Sequence, residues 1–174
     1  MAFHKNMKKI KGLIAIAGLT LALTLAASAQ VNLTSLDGSR VAIESQRGKV
    51  VVLAVGASWL PLSNSQADFT NKLAGKYAGK EVVFYFVATD SATPRSKNFA
   101  SNDDLRRFGT TNKLSMPLLR DPDGAATLKR YSIDQVPSFV ILDRNGAPIG
   151  EPFGGIDPKY DITIPLSKAI DKAL

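Results

Sequence analysis

The spacing of apolar residues changes several times along the chain, and each change predicts an element. A run from Leu13 to Ala27 is apolar and uncharged and stands apart from the rest of the chain. Beyond it, Val31 to Leu33 and Val41 to Ile43 flank Asp37-Gly38, which predicts an N-terminal β-hairpin. Val50 to Val55 is continuously apolar and mostly β-branched, the pattern of a central strand covered on both faces. Pro61 to Ser65 supplies helix-start signals, and Phe69, Leu73 and Tyr77 then recur every four residues until Gly79. Glu81 to Ala88 is a second apolar strand, so strand, helix and strand predict a right-handed βαβ unit with a parallel pair.

The second half of the chain is more broken. Thr89 to Ala100 reads as a surface loop, and Ser101 as the cap of a helix with Leu105 and Phe108 on one side and Asp103 and Asp104 in its first turn. Next come a short extended segment at Met116 to Leu119, a turn at Asp121 to Gly124 and a helical stretch from Ala125 to Tyr131. Phe139 to Leu142 predicts a third strand, which Asp143 to Gly146 turns into an antiparallel fourth at Ala147 to Glu151. Ile162, Leu166, Ile170 and Leu174 predict a closing helix with Pro165 near its start. The outline is an α/β domain with a central mixed β-sheet, an N-terminal β-hairpin and helices on both faces.

Charge changes the picture at the N-terminus. Lys5, Lys8, Lys9 and Lys11 precede the Leu13 to Ala27 run, which ends in Ala27-Ser28-Ala29. That is the order of a secretory signal peptide over residues 1–29, with Gln30 the first residue of a single exported domain, 30–174. The competing reading is an uncleaved membrane anchor. The whole chain of 174 residues carries a net charge of +7, but four of its 22 Lys and Arg lie in this segment, leaving 18 against 15 acids. The basic residues that remain alternate with acids, as on an ordinary solvated surface, and no nucleic-acid partner is expected. Cysteine is absent, and the only histidine is His4. Beyond the signal segment this excludes disulfides, Cys-His pairs, Ser-His-Asp triads and most transition-metal sites; no metal and no cofactor is expected.

Three stretches carry a resemblance. Gly48-Lys49-Val50-Val51-Val52-Leu53-Ala54-Val55-Gly56-Ala57-Ser58-Trp59-Leu60-Pro61-Leu62-Ser63 resembles the GKVVLxxFWAxWCPPC segment of periplasmic thioredoxin-like proteins of the TlpA/ResA type, within the redoxin group. Pro117 to Gly124 is similar to that family's PvllDpdG, and Tyr131 to Gly146 to its YgvxgvPttflIDrdG. The likeness runs in order from about Asn32 to Leu174 and implies a thioredoxin-like fold. It departs from the family at the chemistry: the two cysteines fall on Leu60 and Ser63, an aromatic position falls on Gly56, and the second proline on Leu62. Thiol-disulfide exchange needs a thiolate, so the resemblance implies a scaffold without its redox function. The peroxiredoxin cysteine pattern is absent as well.

The resemblance further implies that Val136-Pro137 is a cis bond, that Trp59 stands beside the old reactive site, and that the backbone before Pro137 pairs with an extended peptide. Trp59, Leu60, Pro61, Leu62, Val136 and Pro137 are therefore the expected peptide- or partner-binding residues, the partner being an unidentified protein or peptide of the cell envelope. Two other readings stay open at this level. One is an enzyme with non-thiol chemistry in the same groove, using Ser63 or a carboxylate such as Asp68 or Glu44, although no histidine could activate the serine. The other is a purely structural envelope module. Asp121, Asp123 and Asp143 invite a calcium reading, but their spacing lacks the EF-hand order and suits turn capping.

Overall fold

The structure is a computed structural model that describes residues 31–157 and 159–174; the expected signal segment lies outside the described residues. The N-terminal hairpin forms as β1 (Asn32–Ser35) and β2 (Arg40–Ala42), antiparallel, with Leu33 opposite Val41. Gly38 takes φ +94 in its turn, a region that a side chain would strain. A 3-10 turn (Ile43–Gln46) leads to β3 (Val50–Gly56), whose seven residues are all buried. β4 (Val82–Ala88) runs parallel to it, and the helix between them, α1 (Leu62–Lys76), buries Phe69 and Leu73, with Tyr77 buried just past its end. Further on come α2 (Asn102–Thr111), β5 (Leu118–Arg120), β6 (Ser138–Leu142) and α3 (Thr163–Ala173). The sheet order is β2-β1-β5-β4-β3-β6, with β3, β4 and β5 parallel and the flanking strands antiparallel to their neighbours. Among the described residues no helix is long and apolar enough to cross a membrane.

Ser101 caps α2 in a reciprocal box: its hydroxyl accepts from the Asp104 N–H at 3.1 Å, and the Asp104 carboxylate accepts from the Ser101 N–H at 2.8 Å. The Ser101 hydroxyl, which also donates to the Asp104 carboxylate at 2.5 Å, and then the Ser101 N–H favour the ionised form and hold the Asp104 carboxyl below its ordinary range.

Three details differ from the sequence expectation. Ala125 to Tyr131 forms successive turns, not a helix. The buried Asp121 carboxylate accepts from the N–H groups of Ala126 and Thr127 at 2.9 Å each and from the Thr127 hydroxyl at 2.6 Å, amides that a helix's first turn leaves free; beyond them only the Leu128 and Tyr131 N–H groups reach carbonyls four residues back, and Ser132 at φ +54 ends the stretch. The fourth strand at Ala147 to Glu151 is reduced to isolated bridges, Leu142 to Pro148 and Phe139 to Phe153. Pro148 and Pro152 have no N–H to offer a ladder. Finally, residues of α1, α2 and α3 share one core cluster on the sheet face of Val52 and Ala54, whereas the face of Val51, Leu53 and Val55 is covered by Ile43, Leu128, Tyr131 and Ile133 from turn structure.

Tyr131 in that second layer has its phenol pushed up to about 12, first by burial and then by the Glu44 carboxylate. A folded pKa above the ordinary 10 means that the neutral phenol contributes stability fully present below about pH 10 and lost as pH rises toward 12. The urea unfolding midpoint is expected to fall across that window, and Tyr131→Phe to flatten the fall; an unchanged slope in the variant would place the alkaline loss elsewhere, with Tyr77 and Tyr85, also raised by burial, next to test.

Candidate functional site

The site lies where the parallel strands end. Beyond β3 the chain makes a tight turn, with the Leu60 N–H donating to the Ala57 carbonyl at 3.1 Å, before α1 begins. This turn lifts Trp59 to 51% exposure, and Leu62 at the head of α1 is 38% exposed. Leu60 is half-buried and Pro61 exposed. β6 runs antiparallel to β3 with Val55 opposite Ser138, so continuing that register sets Pro137 beside Gly56 and Val136 beside Ala57. The Val136-Pro137 bond is cis. Pro137 is buried, Val136 half-buried, and among the described residues nothing hydrogen-bonds to the N–H or C=O of Val136. A small cleft of about 120 Å³ opens beside it, lined by Leu128, Ile133 and Gln135; larger clefts lie away from Trp59.

Ser63 is placed differently from the others. Its side chain is fully buried, and its hydroxyl accepts from the Ala57 N–H at 3.2 Å, closing the loop it ends. It therefore faces inward beneath the turn, out of reach of a ligand on the Trp59 surface. Asp68 is exposed on α1, and Glu44 accepts from the Val31 N–H at 2.9 Å in the opposite layer. Asp121 and Asp143 hold turn amides, the latter those of Asn145 and Ala147.

Two residues that sequence reasoning did not single out support the site. Asp90, fully buried after β4, accepts from the Ser58 N–H at 2.9 and 3.1 Å and from its hydroxyl at 2.6 Å. The β3–β4 pairing runs at a constant offset, Gly56 opposite Ala88, and two further steps bring Ser58 to Asp90, so the parallel register was the signal. Gln66, one turn into α1 and fully buried, donates to the carbonyls of Val55 at 3.2 Å and Ser138 at 2.9 Å, tying α1 to β3 and β6. Its amide occupies the space beside Gly56: a Cβ on that glycine would stand 2.3 Å from Gln66 Oε1 and 2.9 Å from Ser63 Oγ. Gly56→Ala is expected to lower stability by about 1–3 kcal/mol through overpacking, and pairing it with Gln66→Ala to recover part of that loss, both read as urea midpoints. A neutral Gly56→Ala would mean that the Gln66 side chain is free to move.

An α-helix led by a tight turn at the end of a central parallel strand, facing a cis-proline loop, defines a thioredoxin-like protein. The Redoxin family model matches residues 22–150, and the chain belongs to that family. It is 24% identical over 121 residues to the thiol-disulfide oxidoreductase ResA of Bacillus cereus (strain ZK / E33L), covering 70% of this chain and 64% of that protein. The chain spans just under two thirds of the length of the curated relatives it matches. Among solved structures, MTB dsbF in its mixed oxidized and reduced forms superposes with a TM-score of 0.65 at 22% identity, covering 87% of this chain and 100% of that one. The exposed lipoprotein thioredoxin Etrx1 of Streptococcus pneumoniae strain TIGR4 gives 0.61 at 25% identity, covering 80% and 99%. The resemblance drawn from the sequence is thus shown at the level of family and fold, and the chain has no cysteine with which to carry the relatives' redox motif.

Proposed function

We propose that the protein works outside the cytoplasm as a binding protein without thiol-disulfide activity, taking an extended segment of a peptide or partner protein along Trp59, Leu60, Pro61, Leu62, Val136 and Pro137. The observation that carries this reading is the pairing of an exposed indole with an unpartnered backbone edge at Val136. An N–H and C=O free at a loop edge accept a strand by β-augmentation, and the small cleft beside Val136 is a place for one of its side chains. Trp59 and Leu62 add apolar area, with the indole suited to a half-wet surface. Export is supported by the Lys-rich start, apolar run and Ala27-Ser28-Ala29 ending, and by an exposed lipoprotein among the relatives. The buried Ser63 hydroxyl, already bound to a backbone amide, weighs for binding and against a serine-based reaction.

A peptide array probed with wild type, Trp59→Ala and Val136→Asp tests the proposal. Binding to a subset of peptides that both substitutions abolish is the expected result. Equal signals from all three proteins, with folding intact by circular dichroism, would remove the groove from the function and favour a structural module.

A further inference from the structure

A second cleft, of about 400 Å³, lies between α2 and the end of the N-terminal hairpin, away from the Trp59 surface. Its size falls within the roughly 300–1,000 Å³ of small-molecule sites. The floor is aliphatic, from Leu36, Leu105, Leu114 and Leu118, and is continuous with the small core of Ala88 and Ala100. The rim carries two cations, Arg106 and Lys113, and no acid lines the cleft. Arg106 is engaged, donating to Asp103 at 2.6 Å and to the Leu36 carbonyl at 2.7 Å. Lys113, exposed just past the end of α2, has no ion pair among the described residues.

Gly109 adds an independent observation. It sits within α2 facing this space, where glycine costs helix stability relative to alanine. Its φ is not positive, and a Cβ there would meet only Leu118 Cδ1 at 3.6 Å and Leu114 Cδ1 at 3.9 Å, ordinary contacts. Neither backbone nor packing calls for glycine. What the missing side chain leaves is width in the wall of the cleft.

We propose that this cleft is a binding site for a monomeric single-chain amphiphile with an anionic head, a medium-chain fatty-acid carboxylate, whose tail lies on the leucine floor beside Gly109 and whose head meets Lys113. An aliphatic floor selects a tail by burial, and a free cation at the rim selects the sign of the head.

Calorimetric titration of the full chain with laurate below its micellar range tests this, with decanoate, dodecyltrimethylammonium and sedimented phosphatidylglycerol vesicles as comparison arms. Saturable one-to-one laurate binding is expected, with affinity about fourfold lower per methylene removed and no binding of the cationic amphiphile. Gly109→Phe is expected to abolish laurate binding, Lys113→Glu to weaken it at least about tenfold, and Lys168→Glu, an exposed charge change on α3, to leave it unaltered. Because Lys113 is exposed, its variant keeps the test decisive should Gly109→Phe disturb folding. Absence of laurate binding, equal binding of both head-group signs, wild-type affinity in Lys113→Glu, or binding to vesicles without binding to monomer would each overturn the proposal.

Discussion

Leu60→Cys combined with Ser63→Cys is expected to turn this chain into a thiol-disulfide oxidoreductase. The Ser63 N–H donates to the Leu60 carbonyl at 3.0 Å, so the two positions close a four-residue turn. A hydrogen-bonded turn keeps its end Cα atoms within about 7 Å, overlapping the 4.4–6.8 Å that a disulfide bridges. The thiol introduced at position 60 would precede the N-terminus of α1, where an unpaired backbone N–H favours the thiolate. The one at position 63 would take the place of a buried hydroxyl, next to Gly56, which has no side chain to collide with it. Oxidation should remove two hydrogens by mass without dimer formation, and insulin reduction by dithiothreitol should run on the order of tenfold faster than with wild type, which should match buffer. A double variant that stays reduced and inactive, or a wild type that turns over, would show that more than two thiols separates this protein from its relatives.

Asp90→Ala is expected to be the most damaging single change at the site. It removes the acceptor of three hydrogen bonds from Ser58 and strands the Ser58 N–H in a partly buried loop. Bonds to a charged acceptor and the cost of an unpaired buried donor put the loss at about 2–4 kcal/mol, read as a lower urea midpoint. Asp90→Asn keeps an acceptor and should recover part of it. Because Ser58 precedes Trp59, untethering should also make the indole emission more solvent-like. A double-mutant cycle with Ser58→Ala isolates the coupling; additive losses would mean that the carboxylate stabilises something other than this loop.

Much of this architecture was legible from residue patterns because local and tertiary preferences agree. Val50 to Val55 reads as a buried strand and is one; Phe69, Leu73 and Tyr77 mark the buried side of α1 and its end; Ser101 reads as the cap of α2 and is one. Ala125 to Tyr131 was not legible, since only its Leu128 and Tyr131 N–H groups reach carbonyls four residues back before Ser132 turns to φ +54, local geometry that periodicity does not register. Pro148 and Pro152 are the residues that break the last strand, and the apolar pattern around them hides their effect. At the site, the positions of Trp59, Leu60 and the cis Val136-Pro137 bond came from resemblance, while Asp90 and Gln66 were missed. Asp90 acts through a partner 32 residues away, and only the register of two parallel strands brings them together.

Trp59 is the only tryptophan in the chain and stands half in solvent at the proposed groove, so its own emission reports occupancy directly. Titrating wild type with a pool of extended heptapeptides should give a saturable blue shift, absent in Val136→Asp, with every peptide recovered unchanged in mass. Emission that does not move at any peptide concentration, or peptides returned cleaved or oxidised, would contradict a groove that binds without chemistry.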